Sequence, residues 1–150
     1  MKAKPPYVQM ALSLYIAIIF IQSLFFKFAD APETQHIFGT LDAWAGTYGY
    51  PGLFNRGGIF SAVVIGSTEL VASTLLLLGF VPKLKILRPV GALVAIGIIS
   101  GAIFFHLFTP LGVKVNGDGG VLFGLACGVW VSALVILIFD RDLLLGLIRR

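Results

Sequence analysis

The sequence predicts an all-α integral membrane protein, a bundle of four transmembrane helices with an additional amphipathic helix between the first and the second. Of its 150 residues, 58% are hydrophobic and only 12% are charged, whereas soluble domains carry about 25% charged residues. The apolar residues form long continuous runs instead of alternating with polar ones, which favours helices over strands. We expect residues 1–150 to form one transmembrane domain with no role in nucleic-acid binding.

Four apolar runs are long enough to cross a hydrocarbon core of about 30 Å as helices. They cover residues 8–26, 59–80, 90–108 and 121–139. The first run follows Lys2 and Lys4, as the core of a signal peptide would. It is longer than such a core, and no small-residue cleavage site follows it, so we interpret it as a retained helix.

The long connection between the first two runs contains the pattern of a further helix at residues 33–45. Apolar residues recur there at helical spacing, while polar residues occupy the other faces. The apolar set is Ile37, Phe38, Leu41, Trp44 and Ala45. Two interpretations remain open: the helix lies in the membrane interface, or it packs over the ends of the transmembrane helices.

The distribution of basic residues predicts the orientation. Four spans place both termini on one side of the membrane, and that side receives eight lysines and arginines: Lys2, Lys4, Lys83, Lys85, Arg88, Arg141, Arg149 and Arg150. The other side receives three, Lys27, Arg56 and Lys114. Because cytoplasmic loops are enriched in basic residues, both termini are expected in the cytoplasm, in a bacterial inner membrane.

Glu69 lies near the middle of the second run, and a carboxylate at that depth needs a partner or a function. The topology gathers five polar residues between the middle of the membrane and its outer surface, and we expect a polar cluster formed by Lys27, Glu69, His106, Gln22 and Arg56. Each member has a structural alternative. Lys27 could snorkel to the interface, His106 could bond a backbone carbonyl, and Glu69 could tie helices together.

Other chemistry finds little support in the sequence. Cys127 is the only cysteine, which excludes an intramolecular disulfide, and we interpret it as a packing residue. The histidines and carboxylates lack the spacing of a metal motif, so no metal site is expected. Gly120, Gly124 and Gly128 are spaced by four on the fourth run. Such spacing lets helices pack closely, so we expect Gly124 and Gly128 to face another helix.

Short motifs on three of the runs resemble those of the DoxX-like membrane proteins. They are Phe25-Phe26-Lys27-Phe28, Gly66-x-x-Glu69-Leu70 with Leu75 to Gly79, and His106 with Thr109-Pro110-Leu111-Gly112. The resemblance extends from about residue 14 to residue 139 and implies a four-helix membrane bundle. The family includes a small subunit of a thiosulfate:quinone oxidoreductase, membrane partners of redox enzymes and proteins linked to membrane-protein assembly. This chain lacks the cysteine pair of the redox-helper branches.

Two hypotheses for function follow from the residues and the resemblance. The first is an accessory or assembly subunit without intrinsic activity that binds a protein partner in the membrane, or a second copy of itself. The alternative is a membrane subunit of a redox enzyme that binds a quinone, the candidate cofactor, or a small anion such as thiosulfate in the outer polar pocket. A solute or proton pathway is a third, weaker hypothesis, since four helices leave little room for one. No residue is assigned a catalytic role.

Overall fold

The computed structural model describes residues 6–149, without the side chain of Ile148. Lys2, Lys4 and Arg150, which contributed to the predicted charge asymmetry, lie outside the described residues. The described residues form helices and no strands, which confirms the all-α class. The helices are α1 (Pro6–Phe28), α2 (Pro32–Thr47), α3 (Ala62–Leu78), α4 (Leu87–Phe108), α5 (Val121–Phe139) and α6 (Arg141–Ile148), with a short 3₁₀ helix at Pro82–Leu84.

Three of these helices, α1, α4 and α5, are long and apolar enough to cross a membrane. The helix α3 is apolar but has only 17 residues, so it is shorter than the predicted run of residues 59–80. It starts late because Ser61 acts as its N-cap, with the side-chain oxygen accepting the N–H of Val64 at 3.4 Å. Ile59 and Phe60 therefore remain in the preceding loop, where both are exposed. Length and composition thus identify three spans in the described chain, one fewer than predicted.

The helices α1, α3, α4 and α5 pack around one apolar core. Ile16, Phe20, Leu76, Val129 and Ile136 are almost completely buried there. Glycine allows a close approach between α3 and α4: a Cβ added to Gly91 would lie 2.8 Å from the backbone nitrogen of Leu76. The backbones of α3 and α4 are therefore in direct contact, as expected where small residues line a helix interface.

Polar side chains join three helices at the end of the bundle where α1 starts and α5 finishes, which we call the terminal end. Both oxygens of Asp140 accept hydrogen bonds from the guanidinium of Arg88, at 2.6 and 2.7 Å. Gln9 of α1 donates to the same carboxylate at 3.1 Å. All three residues are buried. Arg88, which the sequence suggested only as an interfacial basic residue, is thus part of an internal ion pair.

The opposite end, which we call the α2 end, is covered by α2. This helix occupies the segment in which a helix was predicted, residues 33–45, and extends slightly beyond it on both sides. Leu41 and Ala45 of α2 form a second apolar cluster with Phe54, Leu111 and Val115, which lie in the loops before α3 and after α4. The helix α2 therefore packs against the connecting loops at this end of the bundle.

The loop before α5 is organised by Asp118. Its carboxylate accepts backbone N–H groups from Val115, Gly120 and Leu122 at 2.8 to 2.9 Å. These hydrogen bonds, above all the one from Leu122, lower the pKa of Asp118 because they stabilise its ionised form.

The helix α5 starts and ends at the predicted residues, 121 and 139. The short helix α6 was not predicted, because its eight residues are too few for a span.

Gly124 and Gly128, the two glycines expected to face another helix, differ in their surroundings. A Cβ added to Gly128 would lie 2.3 Å from the hydroxyl oxygen of Tyr15 on α1, and this hydroxyl donates to the carbonyl of Leu125 at 3.2 Å. The expectation is confirmed for Gly128. A Cβ added to Gly124 would meet nothing within 4 Å in the described chain, so Gly124 faces no helix of this bundle.

Candidate functional site

Glu69 of α3 is buried, with 5% of its surface exposed, and is bound by two side chains of α1. Its Oε1 and Oε2 accept hydrogen bonds from the ammonium group of Lys27 at 2.8 and 2.7 Å. The hydroxyl of Ser23 lies 2.7 Å from Oε2. A carboxylate removed from water is stabilised by an opposite charge only when the geometry is good and its other lone pairs are occupied. Lys27 supplies that geometry, and the Ser23 hydroxyl is placed to occupy a further lone pair of Glu69.

Lys27 points inward from the last turn of α1 instead of extending to the surface, and 16% of its side chain is exposed. Besides the two carboxylate oxygens, its ammonium reaches the hydroxyl oxygen of Ser23 at 2.9 Å. An ammonium has three hydrogens, and three oxygens surround this one. Its hydrogen-bonding capacity is therefore used entirely within the protein.

Ser23 is a member of this cluster that the sequence analysis missed. It lies four residues before Lys27, hence on the same face of α1. Its hydroxyl also lies 2.8 Å from the carbonyl of Phe20. A hydroxyl has one hydrogen, so Ser23 donates either to Phe20 or to Glu69. The i to i+4 spacing from Lys27 was the signal that could have identified it.

His106 is buried in the last turn of α4 and is not hydrogen-bonded to Glu69 or Lys27. Its Nδ1 lies 2.7 Å from the carbonyl oxygen of Gly112, and its ring packs edge-on against Phe123 at 5.7 Å. Because a carbonyl can only accept, Nδ1 carries the hydrogen. In the neutral ring, Nε2 is then an acceptor, and it has no hydrogen-bond partner among the described residues. This geometry matches the alternative in which His106 bonds a backbone carbonyl.

The two remaining residues of the predicted cluster lie apart from Glu69. Gln22 is exposed on α1 and makes no hydrogen bond to the Lys27–Glu69 pair. Arg56 lies in the loop before α3 and forms a separate ion pair with Asp30, with 80% of the Arg56 side chain exposed. The structure thus joins Lys27 to Glu69 and places Arg56 in a different, surface interaction.

A half-open cavity of about 740 Å³ lies beside the ion pair and is lined by residues of α1 to α5 and the connecting loops. We call it the apolar cavity, because isoleucine, leucine, phenylalanine and alanine form most of its wall. Its polar lining includes Gln22, Ser23, Lys27, Glu69 and His106. Four of the five predicted site residues therefore border one space. Its volume lies in the range of small-molecule sites, which are mostly apolar with a few polar groups.

The described residues around the cavity include neither a cluster of metal ligands nor a pair of cysteines. Among residues 6–149, no group of three or more histidine, cysteine or carboxylate side chains could hold a metal ion. Cys127 is half-buried on α5 and forms no disulfide. The chemistry that the arrangement offers is therefore that of a buried ion pair, a serine hydroxyl and a histidine acceptor beside an apolar space.

Comparison with known proteins identifies the family. The DoxX family model matches residues 9–107, more than half of the chain, and the match includes Lys27, Glu69 and His106. It ends before α5. No curated protein and no solved structure matches the chain. The resemblance inferred from the short motifs is thereby confirmed: the chain belongs to the DoxX family.

Proposed function

We propose that this DoxX-family protein binds a lipid-soluble, uncharged ligand of the quinone class in the apolar cavity, as a membrane subunit associated with a redox enzyme. The observation that carries the proposal is the cavity itself, a mostly apolar space of about 740 Å³ into which a few polar side chains converge. A quinone matches this combination, because it has a polar ring with two carbonyl groups and an apolar tail that partitions into lipid.

The charges around the cavity favour an uncharged ligand over a small anion such as thiosulfate. Lys27 is neutralised by Glu69, and Arg56 is paired with Asp30. An anion would have to displace a carboxylate to reach either cation. A quinone needs no free charge, since a neutral donor such as the amide of Gln22 can bind a carbonyl oxygen. The Nε2 of His106 can accept from the hydroxyl of the reduced form.

The proposed setting is a bundle in which α1, α3, α4 and α5 all cross a bacterial inner membrane. The helix α3 is about 25 Å long at 1.5 Å per residue, and local thinning of the bilayer can accommodate a short span. The described basic residues at the terminal end are Lys83, Lys85, Arg88, Arg141 and Arg149, against Lys27, Arg56 and Lys114 towards the other end. This asymmetry supports a cytoplasmic terminal end, with α2 outside.

The test of ligand binding compares two glycines, Gly101 of α4 inside the apolar cavity and Gly124 of α5 outside it. A Cβ on Gly101 or on Gly124 would meet none of the described residues within 4 Å, so both sites have room for a larger side chain. Gly101 lines the apolar cavity and Gly124 does not. Binding of decylubiquinone to the purified protein in nanodiscs would be measured for Gly101→Leu and Gly124→Leu.

We expect Gly101→Leu to weaken decylubiquinone binding by at least about tenfold, equivalent to about 1.4 kcal/mol, because the leucine side chain occupies part of the space that the ligand needs. Gly124→Leu should bind like the wild type. Equal binding by all three proteins, or no saturable binding by the wild type, would refute a quinone site in this cavity.

A second candidate function, an accessory subunit that binds a membrane partner, is favoured by the position of Gly124. This residue is exposed near the start of α5, and Val121 and Val131 on the same helix are also more than half exposed. Small residues at such a face allow another helix to approach closely. If the partner is a second copy, Gly124→Cys in a Cys127→Ala background should form a disulfide-linked dimer in membranes. A protein that stays monomeric under oxidation would exclude that contact.

A further inference from the structure

A second cavity, of about 760 Å³, lies between α1, α2 and the loop before α3. We call it the vestibule. Its lining includes charged and amide side chains, among them Asp30, Gln35, Asp42, Asn55 and Arg56. Gln35, Asn55 and Arg56 are exposed. A larger share of the lining is therefore polar in the vestibule than in the apolar cavity, and part of that lining is exposed.

Three side chains line both spaces: Lys27 of α1, and Thr34 and Phe38 of α2. Thr34 is buried, Phe38 is half-buried, and Lys27 carries the ammonium that binds Glu69. These three residues therefore border both the vestibule and the apolar cavity. One charged side chain, Lys27, thus lines both spaces while its ammonium binds Glu69.

We propose that the vestibule is an aqueous access route to the Lys27–Glu69 pair, through which water and hydrated protons reach Glu69 from the α2 end. The groups facing Lys27 are Ser23 and Glu69. Asp30, Asp42 and Arg56 border the vestibule side, and Glu33 and His106 border the apolar cavity. The route itself does not depend on the ligand, whereas its use by a bound quinol to exchange protons with water rests on the proposed function.

Single cysteines in a Cys127→Ala background test this access. Ala43 lines only the vestibule, Ala102 lines only the apolar cavity, and Thr34 and Lys27 line both. The four variants are Ala43→Cys, Ala102→Cys, Thr34→Cys and Lys27→Cys. Each would be treated in proteoliposomes with a charged methanethiosulfonate reagent or with a lipid-soluble maleimide. Because Lys27→Cys leaves Glu69 unpaired, it is made together with Glu69→Gln, while Thr34→Cys leaves the ion pair intact.

We expect the charged reagent to label positions 43, 34 and 27 at least about tenfold faster than position 102, because a thiol in apolar surroundings has less reactive thiolate. The maleimide should label positions 27, 34 and 102. If positions 27 and 34 react with the charged reagent as slowly as position 102, no aqueous route reaches the ion pair and the proposal is wrong.

A separate arm distinguishes this proposal from the quinone proposal. Decylubiquinone should protect position 102 from the maleimide and leave position 43 unprotected from the charged reagent. If protection is absent while positions 27 and 34 still react from water, the access route stands and the quinone site fails.

Discussion

At the scale of single residues, the cost of charge in a membrane explains the arrangement around Glu69. An isolated carboxylate at the bilayer centre costs at least about 2.5 kcal/mol on the most lenient scale. Here Lys27 supplies the opposite charge and Ser23 a hydroxyl. Removing one partner leaves the other charge buried, which typically costs about 3–5 kcal/mol, whereas removing both can be nearly neutral.

This asymmetry predicts the outcome of a double-mutant cycle. Lys27→Met and Glu69→Gln should each lower the stability of the protein strongly, because each leaves an unpaired group inside the bundle. The combined variant Lys27→Met/Glu69→Gln should be more stable than Lys27→Met alone, which retains the buried carboxylate. Thermal unfolding in detergent measures the stability of the wild type, the two single variants and the combined variant. Purely additive losses would mean that Lys27 and Glu69 are not coupled.

Some buried polar residues could be predicted from the sequence, and others could not. Glu69 and Lys27 were identified because a charge in an apolar run needs a partner. Ser23 was missed, since a serine in a membrane helix carries no comparable cost. The Arg88–Asp140 pair was missed for another reason: both residues lie at the ends of apolar runs, where charged residues ordinarily face water. Only the packing of α4 against α5 shows that they are buried together.

At the scale of helices, hydropathy predicted where the apolar segments lie and local hydrogen bonding decided where they end. The run of residues 59–80 is longer than α3 because the Ser61 N-cap and the C-terminal Gly79 bound the helix. Hydropathy alone does not register such caps. The glycine spacing predicted close packing of α5, but among the described residues Gly128 meets another helix, at Tyr15, and Gly124 does not.

The contact between Gly128 and Tyr15 makes a specific prediction. Gly128→Ala places a methyl group 2.3 Å from the Tyr15 hydroxyl oxygen and should destabilise the protein by about 1–3 kcal/mol through overpacking. Part of this loss is offset by the higher helix propensity of alanine, about 1 kcal/mol. Adding Tyr15→Phe removes the clashing hydroxyl and should restore some stability.

Thermal unfolding of Gly128→Ala, Tyr15→Phe and the double variant measures this effect, with Gly124→Ala as the matched control. The control should be neutral or slightly stabilising, because its methyl group would meet open space. If Gly128→Ala behaved like Gly124→Ala, the close approach of α1 and α5 would be wrong.

At the scale of the whole molecule, the two ends of the bundle carry different polar structures. The terminal end is closed by the buried Arg88–Asp140 pair and Gln9. The α2 end holds the Lys27–Glu69 pair, the apolar cavity and the vestibule. The sequence predicted that polar residues would gather towards one end, because alternating helices return them there. It could not predict that Lys27 would line two cavities, since this depends on how α2 folds over the bundle.

The proposed orientation of these ends can be measured in intact cells. Cysteines at Asp118 and Lys83, each in a Cys127→Ala background, lie near the α2 end and in the loop at the terminal end. With the terminal end in the cytoplasm, an impermeant thiol reagent should label Asp118→Cys and not Lys83→Cys. The reverse labelling pattern would mean that the vestibule opens towards the cytoplasm.

The most direct test of the account is a distance between Lys27 and Glu69 in a lipid bilayer. The chain contains only two glutamates, Glu33 and Glu69, so a Glu33→Gln protein labelled with ¹³C at the glutamate carboxyl reports on Glu69 alone. Solid-state NMR dephasing by ¹⁵N at lysine Nζ should show a nitrogen within about 4 Å of that carbon, as in an ion pair. The dephasing should disappear in Lys27→Met. A Glu69 carboxyl with no nearby lysine nitrogen would contradict the enclosed ion pair on which the proposed site and its access route depend.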